Sequence, residues 1–222
     1  IIAAYIATQA AYFTPACSEP DTAAYFTLAE RMAEGEPLTV EDDPLRHYTH
    51  VWVEARNGDV IPKYPPGYPL LVAAGYKILG ERGAFLVSPV AGVTALVAAL
   101  FLFRMWLPPL PTVLALGTLA INPMFVSYTG YPLSHSANIA TVTVGMLCLW
   151  KWWRTPGIVW GAGAGLSLGL AAMIRPTGAV LAFVVGAAII GVLIRQRGRL
   201  SRHAWLALLV LVLAYSAFPI LH

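Results

Sequence analysis

The chain has 222 residues, of which 58% are hydrophobic and 11% are charged, with a formal net charge of +3. A soluble globular domain carries about 25% charged residues, so this composition excludes an ordinary soluble domain and predicts a polytopic membrane protein. The positive charge does not indicate a nucleic-acid partner, because acid and base are segregated. All 11 acidic residues lie between Glu19 and Glu81, as expected if one segment is aqueous and the rest is in lipid.

The first apolar run, residues 1–16, is predicted to cross the membrane. It lacks a charged n-region followed by a small-residue cleavage site, so we expect a membrane anchor rather than a secretory signal peptide. The chain has no initiator methionine, and it opens and closes in apolar sequence. We therefore expect residues 1–222 to form a single transmembrane domain that is the N-terminal portion of a longer protein.

The long polar stretch that follows, residues 17–83, is predicted to be the first extracytoplasmic loop. It opens with a helix signal in "DTAAYFTLAERMAEGEP", which Asp21 or Thr22 can cap and which Gly35 ends. Its apolar side chains recur at helical spacing and predict a juxtamembrane helix with its apolar face on the membrane. These side chains are Ala24, Tyr25, Leu28, Ala29 and Met32.

The second part of this loop predicts a hairpin, a rigid corner and another helix. "THVWVEARNGDVIPK" alternates in polarity around Asn57-Gly58, which is typical of a small β-hairpin with a type I′ turn. "KYPPGYPLL" then stops the hairpin and starts a helix, because prolines at a helix start lack only N–H groups that would be unpaired there. The helix over residues 67–80 is too short to span the bilayer, so we expect a second juxtamembrane helix.

The remaining apolar runs predict an all-α polytopic membrane protein with about seven transmembrane helices, because a bilayer core of ~30 Å needs about 20 apolar residues. The uncharged run 105–150 has room for two crossings, with a break near "NPMFVSYTGYPLSHS". The other runs are residues 83–103, 155–174, 176–194 and 203–221. Basic residues of the short loops fall on one side and place the polar loop outside. They are Arg104, Lys151, Arg154, Arg195, Arg197, Arg199 and Arg202.

Three stretches in this order carry a family resemblance: "SEPDTAAYFTLAERMAEGEP", "KYPPGYPLLVAAGYKILG" and "MIRPTG". The chain resembles the N-terminal half of the membrane glycosyltransferases that use polyprenyl-phosphate sugars. These form the GT-C superfamily, which includes protein O-mannosyltransferases and lipid A aminoarabinose transferases. The resemblance implies a lipid-linked sugar donor, an acceptor that is a glycan, a lipid or a protein, and an outward-facing active site in a bacterial inner membrane.

Transfer of a sugar from a lipid phosphate needs a general base for the acceptor and positive charge for the departing phosphate. In the family an acidic residue after the first helix, before an aromatic, begins the first juxtamembrane helix. Asp21, followed by Tyr25, matches that place, so the resemblance assigns Asp21 as the base. Glu19 is the second candidate, because the motif here reads Glu-Pro-Asp. The alternative for Asp21 is a simple helix cap.

The candidate donor ligands come from other parts of the chain. Arg175 is a lone charge within about 40 apolar residues, which indicates a function or a partner, and its guanidinium suits phosphate. Lys63, beside the corner, is a second phosphate candidate. His135 begins a predicted outer-face helix and could bind substrate. Tyr25 and Tyr64 complete the predicted substrate-binding set. The alternatives for Arg175 are a cation that snorkels to the interface at a hairpin tip and a cation paired with an acidic residue of the first loop.

Two questions stay open at the level of sequence. Some members of the family use a divalent metal, and His135 with Asp21 or Glu19 could hold one, although no cofactor is assigned. A transporter or flippase, or a non-catalytic assembly subunit, would share this composition. A transporter is expected to show inverted repeats or broken polar helices at mid-membrane depth, and neither pattern is present. The enzyme hypothesis requires Asp21, Arg175 and His135 to meet at one cavity.

Overall fold

The computed structural model describes residues 1–17, 19–40, 51–54, 59–195 and 202–217. Within these ranges the protein is about 80% helical, with nine α-helices and one two-stranded sheet. The elements in chain order are α1 (Ile2–Ala11), α2 (Pro20–Glu34), β1 (Trp52–Glu54), β2 (Val60–Pro62), α3 (Gly67–Arg104), α4 (Pro109–Ile121), α5 (Pro123–Gly130), α6 (Ser134–Arg154), α7 (Ile158–Ile174), a 3-10 helix (Pro176–Val180), α8 (Leu181–Arg195) and α9 (Arg202–Ala217).

Helix α2 forms where the helix signal predicts it. Pro20 occupies the first helical position, and Gly35 ends the helix in the left-handed conformation with φ 76°. The predicted apolar stripe is present: Ala24, Tyr25, Leu28 and Ala29 are buried, and Met32 is partly buried. This face packs against α3, whereas the sequence predicts that it lies on the membrane. The predicted side-chain cap is wrong, because Glu19 holds the N-cap position and no side chain accepts a capping hydrogen bond.

The hairpin is present in part. β1 and β2 are antiparallel, with Val53 opposite Ile61. The predicted Asn57-Gly58 turn lies outside the described residues. Beyond β2, the amide of Lys63 donates to the carbonyl of Val51, which extends the pairing up to the start of the corner.

Helix α3 starts at the corner, with Pro66 as its N-cap, and consists of two limbs. Residues 67–78 and 81–104 are separated by non-helical Leu79 and by Gly80, whose φ of +63° favours glycine. A Cβ on Gly75 would lie 2.6 Å from the carbonyl oxygen of Gly83. In a straight helix these residues would be about 12 Å apart, so the limbs fold sharply against each other. The break coincides with the predicted boundary between a short helix and a membrane pass.

Helices α4 and α5 meet at the predicted break in the long uncharged run. The chain bends by 56° between them, and Asn122 caps α5 by accepting from the amide of Phe125. Helix α1 is joined to α5 by buried polar contacts, in which the Tyr5 hydroxyl and the Gln9 amide both donate to Thr129. These bonds hold α5 in place directly before the turn into α6.

The predicted number of membrane crossings is not confirmed. Among the described residues, one helix, α3, is long and apolar enough to cross a bilayer, and the bent pair α4–α5 is a second candidate. The apolar helices α1, α7 and α8 are shorter than the about 20 residues that a crossing needs. Predicted runs are shortened because residues 12–16 are not helical and because Pro176 starts a 3-10 turn ahead of α8.

Candidate active site

Asp21 lies in the first turn of α2, one residue after Pro20. Amide groups at a helix start are unpaired and carry partial positive charge, so a carboxylate is stabilised there. Asp21 is half-buried and lines a cavity of about 190 Å³. It also accepts a hydrogen bond from the hydroxyl of Tyr64.

The corner and the start of α6 supply the neighbouring walls of this cavity. Tyr64 and Pro65 line it directly, ahead of the first turn of α3. Tyr25 is buried, and its hydroxyl donates to the Ser134 hydroxyl at 3.1 Å. The Tyr25 and Tyr64 rings pack with their centroids 4.5 Å apart, so α2, the corner and α6 are fastened together around the cavity.

Arg175 reaches the same cavity from the end of α7. Pro176 follows it and disfavours helical backbone at the preceding residue, so Arg175 is extended, with φ −142° and ψ 127°. Its guanidinium nitrogen Nη1 lies 2.7 Å from Nδ1 of His135. The His135 ring stacks on Tyr128 of α5, with the two ring planes 12° apart.

This contact fixes the protonation state of His135. A guanidinium has donors and no acceptor, so Nδ1 of His135 must accept and therefore carries no proton. The imidazole is then neutral, with its proton on Nε2. Nε2 has no hydrogen-bond partner among the described residues, which leaves its N–H available to a ligand or water.

The charges of Asp21 and Arg175 share the cavity without neutralising each other. In the described part of the chain they form no direct ion pair, since the one ion pair found there joins Arg31 and Glu36. Both charges act on the phenol of Tyr25, which lines the same cavity. Burial raises the pKa of Tyr25 most, the bond to Ser134 opposes this, and the nearby Asp21 raises the pKa while Arg175 lowers it.

Tyr64 is held in its neutral form by its surroundings. Burial, the hydrogen bond to Asp21 and the negative charge of that carboxylate all raise the pKa of Tyr64 well above its ordinary value near 10. Its O–H therefore stays a donor to Asp21 throughout the physiological range. The arrangement keeps Asp21 as an acceptor that faces the cavity.

Two predicted site residues do not line the cavity. Glu19 is exposed at the N-cap of α2. Lys63 is also exposed, and its ammonium lies 5.7 Å from the centre of the Tyr64 ring. The backbone of Lys63 is paired with Val51 of the hairpin, and its side chain is not among those that line the cavity.

Two contributors are not predicted from sequence. Ser134 anchors Tyr25, and Tyr128 supports His135. Both lie within the predicted break "NPMFVSYTGYPLSHS", so the polar character of that break is the available signal. Their pairing depends on how α2 and α5 pack against α6, which the sequence pattern does not specify.

The described residues contain no group of three or more His, Cys, Asp or Glu side chains that could hold a metal ion. At the cavity, Nδ1 of His135 is already engaged by a cation, so that nitrogen cannot serve as a ligand while the contact persists. The residues present therefore do not fit a metal site built on His135 Nδ1.

Larger cavities lie elsewhere in the molecule. One of about 430 Å³ separates α1 from the second limb of α3 and is mostly apolar. Two others, of about 350 and 410 Å³, adjoin the segment between α1 and α2. None of the predicted site residues lines these three, so the relevant chemistry lies at the cavity of about 190 Å³ that Asp21 and Arg175 line.

A family model described as dolichyl-phosphate-mannose-protein mannosyltransferase matches residues 63–221. The match includes the corner, His135 and Arg175, whereas Asp21 lies N-terminal to it. No curated protein and no solved structure matches the chain. Because the family model covers well over half of the sequence, the chain belongs to the dolichyl-phosphate-mannose-protein mannosyltransferase family, a group of membrane glycosyltransferases of the GT-C type.

Proposed function

We propose that this protein transfers a sugar from a polyprenyl-phosphate donor to an acceptor hydroxyl or amine at the extracytoplasmic face, with inversion at the anomeric carbon. One observation carries the proposal. A carboxylate from the start of α2 and a guanidinium from the end of α7 line one cavity and do not pair with each other. Family membership supports the reaction class and a lipid-linked donor.

The reaction is a single displacement. The acceptor oxygen or nitrogen attacks the anomeric carbon and loses its proton to Asp21. The bond between the anomeric carbon and the phosphate oxygen breaks, and its electron pair leaves with the polyprenyl phosphate. Attack from the face opposite the leaving group inverts the configuration. Two groups are required on opposite sides of the sugar: a proton acceptor and a phosphate ligand.

Asp21 suits the role of the base by position and by hydrogen bonding. It is half-buried at the cavity wall rather than used as a helix cap. The Tyr64 hydroxyl occupies one of its oxygen lone pairs and orients the carboxylate. The remaining lone pairs can accept the acceptor proton. Glu19, which is exposed outside the cavity, lacks these features.

Arg175 suits the role of the phosphate ligand. A guanidinium offers five N–H donors in a planar fork, and the contact with His135 engages Nη1. Its other donors can bind phosphate oxygens in the bidentate geometry that stabilises departing phosphate. His135 acts as a positioning residue, because it holds the guanidinium while Tyr128 holds its ring.

The size of the cavity limits what it binds. Ligand pockets commonly measure about 300–1,000 Å³, and this one measures about 190 Å³. It accommodates the reacting end of the donor, namely the phosphate and the adjacent part of the sugar. The polyprenyl chain then extends outside it into the bilayer.

The test uses the full-length protein in nanodiscs. We would supply a panel of polyprenyl-phosphate sugars, mannose included because of the family description, and measure the release of polyprenyl phosphate. Release that depends on an added acceptor supports the proposal, and an inverted anomeric configuration in the product supports the displacement. Movement of intact donor across the bilayer without release would instead support the flippase alternative. If the folded protein neither releases polyprenyl phosphate nor moves the donor across the bilayer, the result favours an assembly subunit.

A further inference from the structure

The corner that begins α3 approaches the backbone at the end of α7 closely at Gly67. A Cβ at Gly67 would lie 2.6 Å from the amide nitrogen of Ile174 and 2.8 Å from the carbonyl oxygen of Met173. A real Cβ atom essentially never approaches another heavy atom this closely, and backbone atoms cannot rotate away as a side chain can. Glycine is therefore needed at this position for space.

Backbone conformation does not explain this glycine. Among the described residues the glycines with positive φ are Gly35 and Gly80, and Gly67 is not one of them. Its neighbours Pro65 and Pro66 restrict the corner further, because each fixes its own φ near −65°. A rigid segment thus meets α7 at a point where nothing larger than hydrogen fits.

This contact lies between the two walls of the cavity. Tyr64 and Pro65, directly before Gly67, line one wall. Ile174, which Gly67 touches, lines another wall together with Arg175. The contact of Gly67 with α7 thus lies where the wall formed by Tyr64 and Pro65 meets the wall formed by Ile174 and Arg175.

We infer that Gly67 is a positioning residue, whose close approach to α7 sets the separation of Asp21 and Arg175 across the cavity. The inference rests on the proposed function, since it assigns these two residues to the base and to the phosphate ligand. It adds a role for the Pro-Pro-Gly corner: besides starting α3, the corner sets the spacing between the two walls of the cavity.

The geometry gives the size of the expected effect. Ordinary van der Waals contact begins at 3.4 Å, so an added Cβ requires the two segments to separate by about 0.8 Å. A misplacement of roughly 1 Å in a catalytic site can lower the rate on the order of 10²-fold. Because Arg175 and its support from His135 stay together on the far wall, we expect kcat to fall while the KM for the donor changes little.

The experiment compares Gly67→Ala with Gly145→Ala in the full-length protein. A Cβ at Gly145 would lie 2.5 Å from the buried Leu168 side chain, so the control also strains the packing of α7, but ten residues along α6 from His135 and away from the cavity. Before the kinetic measurements, both variants are checked for folding in detergent and for melting temperature. We expect kcat of Gly67→Ala to fall on the order of 10²-fold, with that of Gly145→Ala within a few-fold of wild type.

A second variant covers the case in which Gly67→Ala does not fold. Pro66→Ala adds no atoms and frees the corner, so a several-fold loss of kcat at unchanged donor KM is expected. The inference is overturned if Gly67→Ala and Gly145→Ala have equal kcat. If Gly67→Ala does not fold, it is overturned by a wild-type kcat in Pro66→Ala. Either result leaves the proposed function intact. Wild-type protein with no activity on any donor refutes the proposed function, and the inference with it.

Discussion

Loss of the His135 side chain should weaken binding of the donor more than it weakens the fold. In His135→Ala the guanidinium of Arg175 loses the acceptor that lies 2.7 Å away and is free to leave the cavity wall. A hydrogen bond to a charged group contributes about 1.5–3 kcal/mol, and 1.4 kcal/mol corresponds to a tenfold change in affinity. We therefore expect the donor to bind about 10- to 100-fold more weakly.

The matched variant is His135→Asn. Its side-chain oxygen lies the same number of bonds from the backbone as Nδ1 of histidine and can accept from Arg175. It lacks the ring that stacks on Tyr128. If the acceptor function matters most, His135→Asn should recover most of the affinity that His135→Ala loses.

Donor affinity would be measured directly, with a radiolabelled polyprenyl-phosphate sugar and protein in nanodiscs, alongside kcat and KM. Melting temperatures of both variants provide the folding control. The reasoning would be refuted if His135→Ala bound the donor as well as wild type. It would also be refuted if His135→Asn were as weak as His135→Ala at equal stability.

Three further predictions concern the cavity walls. Arg175→Lys keeps the charge and loses the planar fork of the guanidinium, so we expect the KM for the donor to rise about tenfold or more. The KM would be measured by polyprenyl-phosphate release, and an unchanged value would count against a bidentate phosphate contact. Tyr25→Phe removes the hydroxyl that binds Ser134 and should lower the free energy of unfolding by about 1 kcal/mol, as seen by chemical denaturation; an unshifted transition would show that the bond contributes nothing. Because the folded-state pKa of Tyr64 is raised, its contribution to stability should be complete below about pH 10 and decline as the pH rises further. The difference between wild type and Tyr64→Phe in melting temperature against pH tests this, and a difference that shrinks below pH 10 would contradict it.

The sequence offers a candidate for each of the two central roles. Arg175 is conspicuous because it interrupts an apolar run, whereas Asp21 is assigned by the family resemblance, since from the residues alone a helix cap explains it equally well. The enzyme hypothesis requires them to meet at one cavity, but the sequence cannot predict that they do, because the meeting depends on how α2 and α7 pack around α3 and α6. The partner of Arg175 escapes prediction for the same reason: the sequence predicts that His135 binds substrate, and the structure places it against the guanidinium.

The expectations for Asp21 as a helix cap and for Lys63 at the site differ from the structure because of their immediate neighbours in the chain. Asp21 has a capping alternative in the sequence because aspartate caps helices well, but Pro20 takes the first helical position and moves the cap to Glu19. Lys63 is a candidate because of its closeness in sequence to the corner, whereas the hairpin bond to Val51 fixes its backbone and its side chain is exposed. Sequence distance does not specify side-chain direction in such a segment.

The Pro-Pro-Gly corner shows that the sequence predicts local structure but not contacts between segments that are distant along the chain. The sequence predicts a rigid start to a short helix, and α3 does begin at Gly67 and break at Gly80. The close approach of Gly67 to Ile174 is invisible in the sequence, because the two positions are far apart along the chain. Steric requirements of this kind emerge only when the packed elements are seen together.

The central claim is that Asp21 is the base of a glycosyl transfer, and one comparison tests it most directly. Full-length Asp21→Asn and Glu19→Gln are each assayed for release of polyprenyl phosphate from the donor that wild type uses, with donor binding measured in parallel. We expect Asp21→Asn to bind donor and to lose at least about 10²-fold in rate, within the range typical of a general base, while Glu19→Gln behaves as wild type. Wild-type release by Asp21→Asn, or loss of release in Glu19→Gln instead, would contradict the assignment.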